Sequence, residues 1–416
     1  MGALNPTMPN SIFPLTPASL PETAHAYPLP VRKALELAAH LRRGRLDVHM
    51  PDGKVMRVDN DNTGPGAEMY VRDLRFARRL VDGGDVGIAE AYFHGEWDTP
   101  NLVGFLELFC SNQHVMAKLM EGKPVLRFLQ MVRHWLRANT KSGAKRNIHA
   151  HYDLGNAFYS AWLDPSMTYS SALYNDKTKT LTEAQTEKYR ALARDMGLES
   201  GKSVLEIGCG WGGFAEVAAR DFDCRVTGLT ISREQFDFAQ KRMFEAGLNE
   251  KVEIKYQDYR DETGTYDRIA SIEMFEAVGE SYWPTYFRQL HDRLNAGGKA
   301  GLQVITIDEG LFSNYRREMD FIRRYIFPGG MLPTNTILRD LGIQHGLKPT
   351  GERAFGLDYA RTLAEWRVSF LNAWPKLTEL GFDERFRRLW EYYLAYCEAG
   401  FRVGTIDVRQ VVFAKP

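Results

Sequence analysis

A glycine-rich run directly after an apolar strand is the part of the sequence best suited to chemistry. The run is Val204-Leu-Glu-Ile-Gly-Cys-Gly-Trp-Gly-Gly213, and it contains Glu206, Gly208, Gly210 and Gly212. Glycine permits positive φ and the close approach of a ligand to the backbone, and such turns follow strands at the ligand edge of open α/β sheets. The spacing E-x-G-x-G-x-G differs from the G-x-G-x-x-G of dinucleotide sites. It favours S-adenosylmethionine, whose cationic half would meet Glu206; a nicotinamide or flavin fold is the alternative.

Two later strand ends carry polar side chains that suit the rest of such a cofactor. Thr230 and Gln235 follow the second predicted strand and can bond ribose hydroxyls. After the third strand, Asp258 can accept from an adenine amino group while Tyr259 stacks on the base. The alternative for Thr230 and Gln235 is that they are ordinary surface residues. The alternative for Asp258 and Tyr259 is that they belong to a surface turn. The predicted cofactor contacts here are Leu229, Thr230, Gln235, Gln257, Asp258 and Tyr259.

Acids and hydroxyls flank the same predicted edge. Glu273 and Glu276 lie among apolar residues after the fourth strand, and Gln303 lies on the fifth. Unpaired buried acids are costly, so two of them here suggest chemistry, although an acid that bonds backbone amides is the alternative. Upstream of the first strand, the hydroxyls of Tyr169 and Ser170 can close over the cofactor.

The elements that position these residues alternate between strand and helix from about residue 148. This βαβ pattern predicts an α/β fold with a parallel, doubly wound sheet of the class I methyltransferase type. Predicted strands are Ser203–Ile207, Arg225–Leu229, Val252–Tyr256, Tyr266–Ile272, Ala300–Ile307 and Thr405–Phe413.

Length and composition suggest two or three domains in a chain of 416 residues. The predicted parts are a loose N-terminal tail (1–30), a small α+β domain (31–120), a basic amphipathic helix and linker (121–147), and an α/β domain (148–416) with a helical lid at about 311–330 and 358–402.

Charge, cysteines and hydropathy exclude several other functions. The formal charge is zero, which gives no indication of a nucleic-acid partner. The four cysteines lack metal-ligand spacing, so no metal site is predicted. Because neither a signal peptide nor a membrane span is evident, we expect a cytoplasmic protein.

The segment from Lys123 to Asn147 is basic and has an apolar stripe. Such a helix can lie on an anionic membrane surface, here the inner face of the membrane. A solvated helix between domains is the alternative. Its basic residues are Lys123, Arg127, Arg133, Arg137, Lys141, Lys145 and Arg146.

Residues 148–416 resemble the cyclopropane fatty acid synthases and mycolic acid cyclopropane synthases, and the N-terminal 120 residues match the long bacterial synthases more loosely. The matching motifs, in order, are H-Y-D-L-G-N, L-D-P-S-M-T-Y-S-S-A, V-L-E-I-G-C-G-W-G-G, G-L-T-I-S-R-E-Q, M-F-E-A-V-G, Y-I-F-P-G-G-M-L-P, D-Y-A-R-T-L and F-R-V-G-T-I-D-V.

The resemblance implies methyl transfer from S-adenosylmethionine to a cis double bond of an unsaturated phospholipid acyl chain. A base then removes a proton and a cyclopropane ring closes; in this family the base is bicarbonate. The resemblance assigns bicarbonate binding to Glu276, Tyr359 and the backbone of Ile305, and an acyl channel to Tyr393 and Phe401. Analogy also predicts a homodimer.

Two residues depart from the family pattern. Ser171 stands where the best-known members have cysteine, and Gln303 where they have histidine. Both can still bond a bicarbonate, so they complete the predicted catalytic set. An altered base also leaves a second outcome open, a lipid methyltransferase whose product is methyl- or methylene-branched.

Overall fold

The protein is described by a computed structural model. It describes residues 12–59, 64–113, 115, 154–178 and 180–416. The described residues form two compact units. Those up to 115, together with Phe382–Val403, form the first unit; those from 154 to Gly381, together with Gly404–Pro416, form the second. The predicted basic helix at 121–147 lies outside the described residues.

The first unit combines a small mixed sheet with helices. The sheet order is β1-β3-β2-β4-β5, and the β2–β3 hairpin turns at Gly53, whose φ is +85°. Bounds are β1 (Ile12–Pro14), α1 (Leu20–Thr23), α2 (Leu29–Ala39), β2 (Arg45–His49), β3 (Val55–Asp59), β4 (Gly66–Val71), α3 (Arg75–Phe93), β5 (Trp97–Asp98) and α4 (Leu102–Ser111).

The helix Glu384–Val403 also belongs to the first unit and is anchored there by polar and aromatic contacts. The Arg388 guanidinium donates to the carbonyl of Tyr92 at 2.7 Å and to that of Trp97 at 3.0 Å. Trp97 is fully buried and its indole packs 4.5 Å from the ring of Phe105. Residues far apart in the chain thus build one core.

A seven-stranded sheet organises the second unit, with strand order β11-β12-β10-β9-β6-β7-β8. The neighbours from β10 to β8 are parallel, whereas β12 runs antiparallel to both β10 and β11. The predicted doubly wound parallel sheet is therefore confirmed. Bounds are β6 (Ser203–Ile207), β7 (Arg225–Thr230), β8 (Val252–Tyr256), β9 (Tyr266–Ile272), β10 (Leu294–Ile307), β11 (Lys348–Ala354) and β12 (Ile406–Ala414).

Helices cover both faces of this sheet. Val204 and Leu205 belong to different buried apolar clusters, because successive strand residues point to opposite faces. Helix bounds are α5 (Gly155–Ser160), α6 (Leu181–Met196), α7 (Gly213–Asp221), α8 (Arg233–Glu245), α9 (Trp283–Arg293), α10 (Glu309–Arg317), α11 (Asn335–Gln344), α12 (Gly356–Asn372) and α13 (Trp374–Glu379), and the first-unit helix Glu384–Val403 is α14.

The segments predicted as a lid are largely helical. Residues 311–330 contain most of α10 and a π-helical turn at Ile322–Ile326. Residues 358–402 fall in α12 and α13 of the second unit and in α14 of the first. None of the helices in the described residues has the length and apolar character needed to cross a membrane.

Candidate active site

The glycine run forms the turn between β6 and α7. Gly208, Gly210 and Gly212 have φ values of +80°, +53° and +84°, a region that side chains disfavour. The N–H groups of Gly208 and Cys209 both donate to the carbonyl of Leu229, at 3.0 and 2.9 Å, which ties the turn to β7. A Cβ built on Gly210 meets no atom within 4 Å. The turn therefore offers bare backbone beside open space, as a nucleotide-like cofactor requires.

Glu206 lies in the interior of the second unit. The residue is 3% exposed, and its Oε2 has no hydrogen-bond partner among the residues described. Burial raises the pKa of Glu206 well above its usual range, although the Ala215 N–H and the charges of Arg242 and Lys188 act in the opposite direction. Contact between Glu206 and a cofactor remains a prediction.

Thr230 and Gln235 are brought together at the end of β7. The Thr230 hydroxyl donates to Gln235 Oε1 at 3.0 Å and accepts from the N–H of Ser232 at 3.2 Å. Ser232 is the N-cap of α8, where its Oγ accepts from the Gln235 N–H. Both predicted ribose-binding side chains are buried and share one hydrogen bond. Ribose binding by this pair remains a prediction.

The predicted adenine contacts already have partners within the protein. Both oxygens of Asp258 accept from the guanidinium of Arg260, at 2.8 and 2.6 Å. Gln257 Nε2 donates to Glu262 at 3.2 Å, and the ring of Tyr259 lies 5.5 Å from that of Tyr286. Base recognition by these residues remains a prediction.

Tyr169 and Ser170 connect an aromatic cluster to a buried lysine. The Tyr169 ring lies 5.3 Å from those of Tyr159 and Trp366. Ser170 Oγ accepts from Lys188 Nζ at 2.5 Å. The Ser170 hydroxyl, one of the two predicted to close over the cofactor, is thus held by the amino group of a buried lysine.

The carboxylate of Glu273 is the centre of the polar cluster at the end of β9. Its Oε1 accepts from the Ser171 N–H and from Gln303 Nε2, both at 2.8 Å. Its Oε2 accepts from the Tyr359 hydroxyl at 2.6 Å. Ser171, Gln303 and Tyr359, all predicted as site residues, therefore converge on one carboxylate. The sequence indicates chemistry for the two acids after the fourth strand, but it assigns no specific role to Glu273.

Glu273 also has an unusual backbone conformation. Its φ is +49°, although its N–H still donates to the Gln303 carbonyl at 2.8 Å. A non-glycine residue in this region costs energy and is typically held there at functional sites. The fold thus holds Glu273 in a backbone conformation that residues other than glycine disfavour.

Gln303 and Lys188 are linked through Gln410. Gln410 Nε2 donates to Gln303 Oε1 and to the Lys188 carbonyl, both at 3.0 Å. Since its Oε1 accepts from Gln410, the amide of Gln303 directs its Nε2 toward Glu273. Lys188 is fully buried; burial lowers the pKa of Lys188 to about 7, against the charges of Glu273, Asp164 and Glu206. Lys188 was not predicted from the sequence.

Glu276 forms a second, separate acid. Its Oε1 accepts from the Ile305 N–H at 2.5 Å, so the backbone donor that the resemblance assigns to bicarbonate already binds this acid. Its Oε2 is closed to solvent and has no partner in the described part of the chain. Burial, with the nearby charge of Glu273, raises the pKa of Glu276 to about 8. At neutral pH this carboxyl is therefore mostly protonated.

The glycine turn and the acid cluster are in direct contact. A Cβ on Gly208 would lie 2.7 Å from Cγ of Met274, the residue after Glu273. The turn therefore lies against the segment that carries Glu273. Tyr393 and Phe401 lie in α14 of the first unit, where both are buried, and their role in an acyl channel remains a prediction.

Comparison with known proteins shows the family. The family model described as Mycolic acid cyclopropane synthetase matches residues 139–411. The tuberculostearic acid methyltransferase UfaA1 of Mycobacterium tuberculosis is 36% identical, over 92% of each chain. The cyclopropane-fatty-acyl-phospholipid synthase of Escherichia coli K12 is 34% identical, over 89% of this chain and 96% of its own length.

Solved structures agree with these relatives. The cyclopropane synthase MmaA2 from Mycobacterium tuberculosis is 30% identical, with a TM-score of 0.61 over 65% of this chain and 98% of that one. The mycolic acid cyclopropane synthase CmaA1, solved with SAH and CTAB, gives the same values. The chain belongs to the mycolic acid cyclopropane synthetase family and is an S-adenosylmethionine-dependent methyltransferase.

Proposed function

We propose that the protein methylates a cis double bond in the acyl chain of an unsaturated phospholipid, and that proton loss from the new methyl group closes a cyclopropane ring. The observation that carries the proposal is the contact between the glycine turn and the Glu273 cluster, through Gly208 and Met274. A methyl donor and a proton acceptor must both reach the same carbon atoms. Their adjacency at one sheet edge supports this two-step reaction.

When bound, S-adenosylmethionine supplies an electrophilic methyl group on a sulfonium. An alkene is a weak nucleophile, so holding it in line with that methyl accounts for much of the rate. Methylation leaves a carbocation on the acyl chain, which needs a dry, aromatic environment. The partly buried ring of Tyr169, packed between those of Tyr159 and Trp366, supplies aromatic faces beside Ser170 and the site.

The names of the relatives support two products. The E. coli relative is a cyclopropane-fatty-acyl-phospholipid synthase and aligns along nearly its whole length. The tuberculostearic acid methyltransferase also aligns over most of both chains, which supports the second candidate, a methyl- or methylene-branched acyl product. These products can arise from one cation. Proton loss from the new methyl group closes the ring, whereas a hydride shift to the cationic carbon followed by proton loss from the same methyl group leaves a methylene branch. A saturated methyl branch needs, in addition, a hydride from an external reductant.

The bicarbonate implied by the family does not fit the residues of this site. Tyr359, which the resemblance assigns to it, and Ser171 and Gln303, which stand at the family's cysteine and histidine positions, already donate to the carboxylate of Glu273. A bicarbonate placed there would compete for the same donors and bring a second negative charge beside the first. No step is therefore assigned to bicarbonate.

We further propose that the protein works in the cytoplasm at the inner membrane surface, bound through the basic residues between 123 and 147. The seven lysines and arginines and the apolar stripe of this segment support the proposal, because such segments bind anionic lipid. Co-sedimentation with vesicles that contain or lack phosphatidylglycerol would test it. Sedimentation velocity would test the homodimer predicted by analogy.

The product experiment uses purified protein, methyl-labelled S-adenosylmethionine and vesicles of a cis-unsaturated phospholipid. Fatty esters released from the lipid are analysed by mass spectrometry and proton NMR. A one-carbon gain with upfield ring-methylene signals is expected. The same gain with vinyl or branched-methyl signals would support the second candidate, and unlabelled lipid would contradict the proposed function.

A further inference from the structure

Three donors from distant parts of the chain bind the carboxylate of Glu273. A carboxylate has about four acceptor positions; Oε1 uses two, for Ser171 and Gln303, and Oε2 uses one, for Tyr359. One position remains on Oε2. The site therefore holds an anion that belongs to the chain and still has room to accept a proton.

We propose that the carboxylate of Glu273 is the resident general base of this enzyme and replaces the bicarbonate of its relatives. This inference rests on the proposed function. In the step concerned, a proton moves from the methyl carbon of the methylated cation to Oε2 of Glu273. The C–H electron pair becomes the new carbon–carbon bond of the ring, and the neutral acid later returns its proton to solvent.

The surrounding charges favour Glu273 over Glu276 for this role. Burial raises the pKa of Glu273, but the charge of Lys188 and the three hydrogen bonds act against that rise. Glu276 accepts only from backbone N–H groups, no cation offsets the effect of its burial, and its pKa is raised to about 8. An acid that already carries its proton cannot accept another, so Glu276 is the poorer base.

The backbone supports the same assignment. Glu273 has a φ of +49°, a conformation that glycine adopts without strain. A glycine here would leave the three donors in place and vacate the space of the carboxylate. Glu273→Gly should therefore convert the internal base into a site for an external anion.

The experiment compares wild type, Glu273→Gly and Glu273→Gln in buffer purged of carbon dioxide, with bicarbonate or formate then added. Wild type should keep its rate without bicarbonate. The turnover rate of both variants should fall about 100-fold or more, which is the usual contribution of a general base. Added anion should restore Glu273→Gly only, because Glu273→Gln keeps the space filled. Asp223→Gly is the matched control, since Asp223 is an exposed residue with a φ of +55°, and its rate should not change.

A binding measurement tests the inference without turnover. Carbon-13 bicarbonate is titrated with each protein and its NMR line width is followed. Broadening with Glu273→Gly and none with wild type is expected. Broadening with wild type, or a wild-type rate that depends on bicarbonate, would overturn the inference. Wild type that labels no lipid even with bicarbonate present would instead contradict the proposed function, and the line widths would still decide which anion the site holds.

Discussion

The hydroxyl of Tyr359 donates to Oε2 of Glu273 at 2.6 Å, although 86 residues separate them in the chain. Tyr359 lies in the first turns of α12, and Glu273 follows the last residue of β9. This bond joins a helix of the predicted lid to the carboxyl edge of the sheet. It also favours the charged form of the carboxylate, because a hydroxyl donor stabilises an anion.

Replacing Tyr359 by phenylalanine should impair the base without removing it. One of three donors to Glu273 is lost, so the pKa of Glu273 should rise and kcat should fall about tenfold or more. The acidic limb of the kcat profile should move to higher pH. Lys188 and Glu276 are the other charged or titratable groups that act on Glu273, and neither is altered.

Tyr174→Phe is the control for this prediction. The Tyr174 hydroxyl donates to Glu365 at 3.2 Å, on the same helix α12, but not to Glu273. The pH dependence of kcat in Tyr174→Phe should match that of wild type. A Tyr359→Phe enzyme with an unchanged profile would show that the bond to Glu273 has no part in the reaction.

Gly210→Ala should weaken cofactor binding, whereas an equivalent substitution away from the site should not. Its Cβ would project into open space at the turn, where a bound cofactor would meet it. Gly201→Ala is the matched control, because Gly201 also has positive φ and open space around its Cβ. Both substitutions should cost about 1–2 kcal/mol of stability.

Calorimetric titration with S-adenosylhomocysteine separates the two effects. Gly210→Ala should bind S-adenosylhomocysteine at least about tenfold more weakly than wild type, since a tenfold loss corresponds to only about 1.4 kcal/mol of binding free energy. Gly201→Ala should bind as wild type does. Equal affinities for the two variants would show that the glycine turn does not approach the ligand.

Most of the second unit follows from sequence patterns. Val252–Tyr256 and Tyr266–Ile272 are strands with the predicted bounds, since both segments are rich in the β-branched and aromatic residues that favour strands. β10 begins at Leu294 rather than at Ala300, because the strand continues through Gly297 and Gly298 with a register shift. Those glycines look like a turn in the sequence, and only pairing with β9 shows that the strand crosses them.

The site was harder to predict, because its contacts join distant segments. Ser171, Gln303 and Tyr359 were predicted to hold one anion, but no local pattern shows that this anion is the side chain of Glu273. Its positive φ is a tertiary feature that the sequence does not indicate. Lys188 did leave a signal: Ala184, Lys188 and Leu192 are spaced by four residues, and all three are buried on one side of α6. A lysine in such an apolar stripe deserves a functional explanation.

Lys188→Met should shift the pH dependence of the reaction. The cation favours the charged form of Glu273, so its loss should raise the pKa of that acid and move the acidic limb of kcat to higher pH. Lys177→Met, at an exposed position, serves as the control, and a Lys188→Met profile that overlays wild type would exclude a positioning role.

The same variant should change stability with a defined sign. The pKa of Lys188 is about 7 in the folded state and 10.5 when unperturbed. Between these values the unfolded chain binds a proton that the folded protein lacks, so wild-type stability rises with pH. The stability gained by Lys188→Met should therefore be largest below pH 7 and shrink toward pH 10. Thermal unfolding in matched buffers measures this difference.

Glu276→Gln tests the second acid through stability rather than rate. The pKa of Glu276 is about 8 in the folded protein against 4.5 when unperturbed. Between these values the folded protein keeps a proton that the unfolded chain has lost. The stability that Glu276 contributes is therefore fully present below pH 4.5 and is lost as the pH rises through 8.

An amide resembles the neutral acid and can keep the bond from the Ile305 N–H to Oε1. The stability of Glu276→Gln should accordingly match that of wild type near pH 5 and exceed it increasingly as the pH approaches 8. The reason is that the amide has no proton to lose. Glu250→Gln, at an exposed position, should follow wild type throughout. Melting temperatures of the three proteins between pH 5 and 9 provide the measurement. A Glu276→Gln protein whose melting temperature stays parallel to that of wild type would show that Glu276 is ionised in the folded state, and the assignment of the two acids would then have to be exchanged.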